Sequence, residues 1–301
     1  MPVTPDRQVV EIEGRRLSLS HLDRVLFPAT GHTKAQVLQY YARIAPAMVP
    51  HAAGRPASFV RAPEGPEGES WIAKNPPPGA PGWVRVVPVE HRRKEVAGQV
   101  VIDSTAALVA MVNLGAYEVH VPQWTAAAGP DRHDRLVLDL DPGPGTDLVV
   151  CCRVAQRLRQ LLDDDGLTAH AVVSGSKGLH LYAPVHPASG RAVSGYAKEL
   201  AARMMGEHPG LVVVSMTRVE RRGKVLIDWS QNASAKTTAA PYTLRLRERP
   251  AVAAPVTWDE VAACRDPAEL AFTPEQVLDR TEEFGDLLAP LTADATRGHL
   301  P

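Results

Sequence analysis

The chain has 301 residues and a hydrophobic fraction of 45%, enough for one large globular unit, or two lobes in contact, around an ordinary core. Its 33 basic and 34 acidic side chains give a formal net charge of −1, which excludes the overall basicity of many nucleic-acid-binding proteins. Any site for a polyanion must therefore be built from local clusters of charge.

The N-terminus has no basic region followed by an apolar core, and no run of about 18 apolar residues occurs. We therefore expect neither a signal peptide nor a membrane span, and the cytoplasm is the expected compartment. The three cysteines, Cys151, Cys152 and Cys264, have neither the spacing of a disulfide framework nor that of a zinc site. They are expected to be reduced thiols.

Hydrophobic period and breaker residues predict an irregular first part and a regular second part. Thr33 and Gln36 have the spacing of a capping box before a helix of about three turns, and residues 51–102 are typical of short strands broken by Gly and Pro. After a helix near 104–115, we predict strand 136–141, helix 147–165, strands 169–174 and 179–184, helix 191–207, and strands 211–217 and 225–230. This β-α-β-β-α-β order with one further strand predicts a ferredoxin-like sheet, which also underlies many nucleotidyl-transfer palms.

Two helices with recognisable N-caps follow in the C-terminal region. Thr257 is followed by Glu260 three residues later, and Thr273 is followed by Pro274 at the first helical position and by Gln276 as its box partner. The chain shows no internal repeat. The sequence therefore predicts an α+β protein.

The stretch "RLVLDLDPGPG", residues 135–145, is a buried-strand pattern that ends in two acids. Asp139 and Asp141 share a face because strand side chains alternate. Two carboxylates so near to each other repel unless they share a proton or bind a cation. Asp228 ends the apolar strand "KVLIDWS", which can lie beside the first strand. Three carboxylates suit Mg²⁺ or Mn²⁺. The alternative, that D-x-D only caps the next helix, is more common for the motif alone.

A second motif, "SGSKGLH" at 174–180, links two predicted strands. Its glycines let backbone N–H groups turn toward an anion, while serine hydroxyls and Lys177 add donors and positive charge. His180 begins the next strand, where it can hold a triphosphate oxygen. Taken alone, a solvated hairpin turn is the more common explanation. Beyond the third acid lies a polar segment that contains Ser230, Gln231, Asn232 and Lys236, and alone it would be interpreted as a loop.

Together, "LDLDP", "SGSKGLHLY" and "IDWSQN", in this order and spacing, resemble motifs I, II and III of the archaeo-eukaryotic primase superfamily. The chain resembles most closely the polymerase-domain family of bacterial non-homologous end-joining ligase D. Further segments that look like this family are "LDRVLFPATGHTKAQVLQYYARIA", "EVHVPQW" at 118–124 and "APYTLRLRERP" at 240–250. The resemblance therefore covers nearly the whole chain.

This resemblance implies a primase-polymerase fold, in which a ferredoxin-like or RRM-like catalytic sheet packs with a second, irregular β-rich lobe and the active cleft lies between them. One catalytic unit is expected to span residues 1–301. Within it we expect an N-terminal lobe with DNA-end and template contacts at about 1–130, the catalytic module at about 131–250 and C-terminal helices at about 251–301.

The resemblance also implies a template-directed DNA or RNA polymerase that extends primers and fills gaps at DNA ends by two-metal nucleotidyl transfer with Mn²⁺ or Mg²⁺. The family's metal-holding acids fall here on Asp139, Asp141 and Asp228. Its triphosphate-binding residues fall on Ser174 and His180, with Lys177 between them. By the same alignment the nucleotide pocket would be lined by His120, Arg221 and Gln231. For these last three, the ordinary alternatives are a buried strand histidine and polar loop residues.

Family members also recognise a 5′-phosphate at a gap or break through a small basic pocket. The matching positions here are His21, Arg24 and Lys34; Arg24 stands where the family has lysine, and His21 where it has asparagine. The family places two consecutive phenylalanines against the template, and this chain has Trp71 and Ile72 there, followed by Lys74. Trp71 can stack on a base, whereas Ile72 can only wedge.

Basic clusters at 91–94, 218–224 and 245–249 offer phosphate contacts in spite of the near-neutral total charge. Most such clusters are solvated surfaces. We expect only the second cluster, beside Asp228, to be functional.

Two rival functions remain open at this stage: a metal-dependent nucleotide cyclase or phosphoesterase on the same palm-like sheet, and a non-catalytic protein that bridges DNA ends. The three intact acids argue against the second rival, since a protein without catalysis would be free to lose them. No K-x-D-G adenylation motif occurs, so we expect no nick sealing by this chain. The resemblance implies gapped or broken DNA, NTP or dNTP, Ku and a separate DNA ligase as partners, and association with the nucleoid.

Overall fold

The computed structural model describes residues 7–90 and 96–301, and the first part of the chain forms short strands around two helices. These elements are β1 (Arg7–Ile12), β2 (Arg15–Ser20), β3 (Val25–Phe27), β4 (His32–Thr33), α1 (Lys34–Ala52), β5 (Ser58–Arg61), β6 (Trp71–Ala73), β7 (Val86–Glu90), β8 (Val96–Val100), α2 (Thr105–Asn113) and β9 (Ala116–Val121). The short strands and turns agree with the irregular pattern of the sequence.

The second part of the chain is more regular. Its elements are β10 (Arg132–Pro142), α3 (Leu148–Asp164), β11 (His170–Val173), β12 (Leu179–Ser189), α4 (Gly190–Glu207), β13 (Val212–Val213), β14 (Val225–Asp228), β15 (Thr238–Ala239), β16 (Leu244–Arg245), β17 (Ala251–Val252), β18 (Ala254–Val256), α5 (Trp258–Ala263), α6 (Pro274–Phe284) and α7 (Ala289–Thr292). Short 3₁₀ helices span Trp229–Asn232, Pro267–Leu270 and Asp294–Thr296.

The largest sheet contains six strands in the order β13-β14-β10-β12-β11-β18. Its four inner members, β14-β10-β12-β11, pair antiparallel and alternate with α3 and α4 along the chain, which is the ferredoxin-like arrangement that the sequence predicts. A second sheet has the order β15-β9-β5-β6. The predicted α+β architecture is confirmed.

The predicted helix starts are also confirmed. Capping boxes begin α1 at Thr33, α5 at Thr257 and α6 at Thr273, and in each the cap hydroxyl and the acid or amide three residues later satisfy each other's backbone N–H groups. Asp147 caps α3 by accepting a hydrogen bond from the Val150 backbone. These local contacts depend on neighbouring residues, which explains why sequence pattern alone locates them.

Two predicted strands are shorter than expected. The strand expected over 211–217 pairs only at Val212–Val213, and the strand expected over 225–230 ends at Asp228. Asp228 itself ends the strand, because its carboxylate accepts a hydrogen bond from the Ser230 backbone and draws the chain into a 3₁₀ turn.

The two faces of β10 pack against different partners. Leu136, Leu138 and Leu140 belong to the main core with the apolar faces of α3 and α4. Val137 lies on the opposite face, in a smaller cluster with Tyr182 and Ala239. The aspartate-bearing face of β10 therefore meets the four-stranded sheet at β15. Across residues 7–90 and 96–301, no helix combines the length and apolar character needed to cross a membrane.

Candidate active site

The three acids lie together on one face of the six-stranded sheet. Asp139 of β10 is directly opposite Asp228 of antiparallel β14, and Asp141 is two residues further along the same face. Directly opposed residues have Cβ atoms about 4.5–5.5 Å apart, so strand pairing alone brings the Asp139 and Asp228 carboxyl groups within reach of one another.

The charges of this cluster oppose one another. Burial, together with the charges of Asp141 and Asp228, raises the pKa of Asp139 well above its ordinary value. Burial also raises the pKa of Asp141, and the charge of Asp228 adds to this effect while that of Arg221 opposes it. Burial and neighbouring negative charge both disfavour the ionised form of Asp139, and a bound cation would relieve both effects.

The Asp228 carboxylate is also held by its own loop. Its oxygens accept hydrogen bonds from the Ser230 backbone N–H at 3.0 Å and hydroxyl at 2.5 Å, and from Gln231 Nε2 at 2.9 Å. No three His, Cys, Asp or Glu side chains among the described residues form a ready-made ligand group. A carboxylate has about four lone-pair sites, so these hydrogen bonds leave room for a cation. The residues fit Mg²⁺ or Mn²⁺ by donor type, and metal binding stays a prediction.

The turn after β11 lies directly against the acids. Gly175 has φ +63°, and Gly178 packs so closely on β10 that a Cβ atom would come within 2.2 Å of the Leu140 carbonyl oxygen. The hydroxyl of Ser174 accepts hydrogen bonds from the backbone N–H groups of Ser176 and Gly178. Ser174 therefore shapes this turn in addition to its expected role toward phosphate.

Lys177 and His180 occupy opposite environments at this turn. Lys177 is exposed, and its role toward an anion stays a prediction. His180 is buried on β12, directly opposite Asp139, and its Nε2 lies 3.4 Å from Asp139 Oδ1. Burial, followed by the positive charge of Arg245, lowers the pKa of His180 to about 3, so its imidazole is neutral at physiological pH.

His120, on β9 of the four-stranded sheet, is linked through Glu118 and Arg245 to the turn at Ser174. Its Nε2 is 3.0 Å from Glu118 Oε2, and the Glu118 carboxylate also accepts hydrogen bonds from Arg245 Nε at 3.1 Å and from the Leu246 backbone N–H. Burial alone would raise the pKa of Glu118, but the hydrogen bond from His120 and the charge of Arg245 outweigh it and lower the pKa to about 2.

Arg245 is a candidate functional residue that sequence reasoning missed. We expected the cluster at 245–249 to be a solvated surface, yet Arg245 is largely buried and bridges two parts of the site: Nε binds Glu118, and Nη1 donates to the Ser174 carbonyl at 2.7 Å. Its charge lowers the pKa of both Asp139 and Asp141. The available sequence signal was its position in "YTLRLRERP", next to the apolar Leu244; the strand β16 ends at Arg245, and Arg247 beyond it is exposed.

The Pro/Gly turn after Asp141 anchors Arg221. A Cβ at Gly143 would come within 1.8 Å of the Arg221 carbonyl oxygen, so only glycine permits this approach. The Gly143 N–H donates to the Lys224 carbonyl, and the Gly223 N–H donates to the Pro144 carbonyl. These contacts hold residues 221–224 of the basic segment against the turn that follows Asp141.

The polar residues after Asp228 have separate roles. Gln231 binds Asp228 through Nε2, and its Oε1 is buried without a hydrogen-bond partner among the described residues. Asn232 is fully buried, and its amide pairs with both the N–H and the carbonyl of Val137 on β10. The strand β14 ends at Asp228, and the Asn232 side chain provides the hydrogen bonds to Val137 that a longer β14 would provide. Asn232 therefore has a structural role.

The residues expected to bind a 5′-phosphate lie near the start of α1. His21 has a positive φ of 56°, a conformation that asparagine adopts readily and histidine adopts more often than most residues do. Arg24 is exposed and donates to the Pro63 carbonyl at 3.0 Å. Lys34 is buried, and its Nζ donates to the Ser20 and Asn113 carbonyls at 2.9 and 2.7 Å. Burial, followed by the charge of Arg24, lowers the pKa of Lys34 to about 8.

The residues expected to contact the template lie on the outer strand of the second sheet. Trp71 is 39% exposed with the Arg61 guanidinium 5.0 Å from its ring centre, and Ile72 is 73% exposed. Lys74 is exposed just beyond β6. The basic cluster at 91–94 lies outside the described residues.

Comparisons with known proteins point to one family. The family model described as "LigD, primase-polymerase domain" matches residues 33–288. The multifunctional non-homologous end joining protein LigD of Mycolicibacterium smegmatis is 44% identical over 282 residues, which cover 93% of this chain and 36% of that protein. The bifunctional non-homologous end joining protein LigD of Bacillus subtilis is 30% identical over 273 residues, covering 90% of this chain and 43% of that protein.

A solved structure, the polymerase domain from Mycobacterium tuberculosis ligase D in complex with DNA, superimposes with a TM-score of 0.87 and 44% identity over 93% of this chain and 99% of that domain. The chain thus spans less than half the length of these two curated relatives but nearly all of the solved domain. The matched family region begins at residue 33, so His21 and Arg24 lie before it.

Proposed function

The chain belongs to the LigD primase-polymerase domain family, and on that premise we propose that it is a template-directed polymerase that extends primers and fills gaps at broken DNA ends in non-homologous end joining. The observation that carries the proposal is the register of the acids. Asp139 faces Asp228 across paired strands, and Asp141 shares their face. The turn at 174–180 packs on β10 beside Asp141, and His180 at its end lies opposite Asp139.

The acids are the proposed metal ligands, because the charges of Asp141 and Asp228 raise the pKa of buried Asp139, and a bound cation would relieve this repulsion. Two Mn²⁺ or Mg²⁺ ions held there would lower the pKa of a primer 3′-hydroxyl and neutralise the leaving pyrophosphate. The hydrogen bonds from Ser230 and Gln231 fix the orientation of the Asp228 carboxylate before any ligand binds.

The neighbouring donors are the proposed triphosphate site. Lys177 supplies a mobile positive charge from the turn, and the neutral His180 imidazole presents Nε2 toward the acids. Arg245, held between Glu118 and the Ser174 carbonyl, adds a fixed positive charge. Positioning by these groups, more than covalent chemistry, would supply the rate of phosphoryl transfer.

The remaining pocket residues, His120, Arg221 and Gln231, are proposed to surround the nucleotide. His120 belongs to the second sheet, so this assignment treats the site as a cleft between a first lobe at about 1–130 and the catalytic module at about 131–250. The segment 251–301, expected to be helical, also contributes β18 to the edge of the six-stranded sheet. NTP and dNTP are both proposed substrates.

At the DNA end, His21, Arg24 and Lys34 are the proposed 5′-phosphate contacts, and Trp71 and Lys74 are the proposed template contacts. Ku and a separate DNA ligase are proposed partners, because a gap-filling polymerase leaves a nick that another active site must seal. Such a polymerase would act with the nucleoid in the cytoplasm.

One assay tests the polymerase proposal against its rivals. The chain is incubated with a gapped duplex, with and without a downstream 5′-phosphate, and with each nucleotide type in Mn²⁺ or Mg²⁺. Template-dependent addition of the complementary nucleotide is expected, with faster addition on the phosphorylated gap. Turnover of labelled triphosphate without template would instead favour a cyclase or phosphoesterase, and end capture without any turnover would favour a bridging protein.

A further inference from the structure

A series of buried, hydrogen-bonded polar side chains leads to the imidazole ring of His180. The imidazole contacts Asp139 through Nε2 at 3.4 Å on one side, and on the other side its Nδ1 is 3.5 Å from the Tyr182 hydroxyl. The Tyr182 contact is long, as catalytic hydrogen bonds often are before substrate binds. Behind Tyr182 lie the Thr238 hydroxyl at 3.2 Å and the Ala239 carbonyl at 3.3 Å.

The far end of this series is the buried guanidinium of Arg135. Gln123 links Arg135 to Thr238: Arg135 Nε donates to Gln123 Oε1 at 2.7 Å, and Gln123 Nε2 donates to Thr238 Oγ1 at 2.9 Å. Arginine can only donate, so it fixes which end of the Gln123 amide faces Thr238. The Arg135 guanidinium also lies 5.5 Å from the Tyr182 ring centre, so it contacts the Tyr182 ring directly as well as through the series of hydrogen-bonded groups.

We propose that Tyr182 is a positioning residue for His180: its hydroxyl, held in place by Thr238, Gln123 and Arg135, fixes the imidazole so that Nε2 faces Asp139 and the triphosphate. Both rings are fully or almost fully buried, and they meet edge to face with centroids 5.9 Å apart. Without a partner on Nδ1, the imidazole can rotate or flip within its slot, and Nε2 loses its fixed direction.

The surroundings of Tyr182 indicate why a hydroxyl is present there. The other members of its buried cluster include Val137, Val172 and Ala253, and phenylalanine would fill the same space. Burying a hydroxyl and a guanidinium costs free energy unless hydrogen bonds compensate. The Arg135 guanidinium donates to the His51 and Pro122 carbonyls as well as to Gln123. The Tyr182 hydroxyl is the member of the series that contacts His180 itself, so it is the group whose effect on the imidazole can be tested.

This inference rests on the proposed polymerase function, and the first test is Tyr182→Phe in primer extension. We expect the KM for the incoming nucleotide to rise about tenfold with a smaller change in kcat, the scale seen when a partner that orients a functional histidine is removed. Tyr40→Phe is the matched control, since it removes another buried hydroxyl, whose hydrogen bond goes to the Tyr242 carbonyl and not to His180. An unchanged KM in Tyr182→Phe, or an equal rise in the control, would overturn the proposal.

A second comparison separates positioning from general packing. Thr238→Val removes the hydroxyl that supports Tyr182, whereas Thr238→Ser retains it, so we expect the KM to rise in the valine variant and to stay near wild type in the serine variant. If the groups act through one series, Tyr182→Phe combined with Thr238→Val gives no more than the larger single effect, and Tyr182→Phe has no effect in a His180→Ala background. Additive effects in either double variant would contradict the proposal.

A third measurement does not depend on polymerase activity. In long-range ¹H–¹⁵N spectra of the histidine side chains, with His180 assigned by the His180→Ala variant, Tyr182→Phe is expected to shift the Nδ1 signal of His180, and Tyr40→Phe is not. If the wild-type chain extends no primer but this shift occurs, the proposed function fails and the positioning role stands. If the His180 signals do not change, the positioning role fails whatever the activity.

Discussion

The acidic face of the six-stranded sheet, formed by Asp139, Asp141 and Asp228, contrasts with the basic surface near the start of α1, formed by Arg24 and Lys34. The acids are on paired strands, and their positions follow from the register of the sheet. The basic groups extend from a short hairpin and a helix start, and they are held by backbone carbonyls from segments distant in the sequence.

This difference matches what each region is proposed to do. Chemistry at a phosphorus atom requires groups fixed within a fraction of an ångström, which strand pairing and burial provide. Contact with a DNA end tolerates more freedom, because a phosphate is recognised by charge and by several donors. The comparison predicts that variants of the acidic face lose activity with little loss of DNA binding, whereas variants of the basic surface change substrate preference.

The largest expected effect is at the acidic face. Asp139→Asn combined with Asp141→Asn should lower primer extension at least about a thousandfold, the scale for removing charge stabilisation from a transition state. DNA binding, measured by fluorescence anisotropy, should stay within a few-fold of wild type. Glu220→Gln, which removes an exposed carboxylate from the nearby 218–224 segment, is the charge control. Near wild-type extension by the double variant would reject the acid assignment.

The same substitution has a consequence for stability. The pKa of Asp139 is raised in the folded chain, so the folded state holds its proton more tightly than the unfolded state does, and stability falls as pH rises above the unfolded pKa of about 3.9. Asp139→Asn removes this loss. We expect Asp139→Asn to be at least as stable as wild type at pH 7, measured by thermal unfolding without divalent cations. A clearly lower midpoint temperature of unfolding in Asp139→Asn would contradict the electrostatic interpretation.

The next effect is at Arg245. Arg245→Ala should lower kcat/KM about a hundredfold, because it removes a fixed positive charge and the contact that joins Glu118 to the turn at Ser174. Arg245→Lys should not restore activity fully, since one ammonium group cannot donate both to Glu118 and to the Ser174 carbonyl as the guanidinium does. The exposed Arg247→Ala is the matched control. Equal losses at both positions would indicate a general charge effect.

A smaller effect, with a defined pH dependence, is expected at Lys34. Its pKa of about 8 means that it is charged below this pH and loses its charge as pH rises through it. The preference for a 5′-phosphorylated gap should therefore weaken between about pH 7 and 9. Lys34→Met should lower that preference roughly tenfold to a hundredfold at pH 7, as expected for one charge-assisted hydrogen bond, and should remove the pH dependence.

The sign for stability at Lys34 is the opposite of that for phosphate binding. Between about pH 8 and the unfolded lysine pKa of about 10.4, the unfolded chain binds the proton more tightly, so stability rises with pH across this window. Thermal unfolding of Lys34→Met monitors the loss of the two carbonyl contacts that the lysine makes.

Arg24→Gln changes an exposed side chain and gives a second test of the preference for a 5′-phosphorylated gap. A pH-independent preference in wild type would exclude Lys34 from the site.

The smallest effect is expected at the template surface. Trp71→Ala should weaken binding of a single-stranded template overhang about fivefold, at the low end of the range for base stacking because the ring is well exposed. Ile72→Ala should change affinity less, since isoleucine offers no stacking surface. A larger effect at Ile72 than at Trp71 would show that wedging, and not stacking, dominates this contact.

Much of the site could be predicted from the sequence because its motifs are local. Strand alternation fixes that Asp139 and Asp141 share a face, and the Gly/Ser composition of 174–178 indicates a turn with inward N–H groups. Asn232 was not identified in this way, because its pairing with Val137 joins residues that are 95 positions apart. Arg245 was assigned to solvent for the same reason, since Glu118 is 127 positions away.

The sequence by itself determined the ferredoxin-like order of elements, the helix caps and the pair of acids on β10, because each depends on residues a few positions apart. Only the tertiary structure decided that Asp228 lies opposite Asp139, that Arg245 is buried between Glu118 and Ser174, and that Tyr182 reaches His180 from behind. These relations depend on which strands pair and in what register. Register is selected by burial of the whole sheet, and no single segment contains that information.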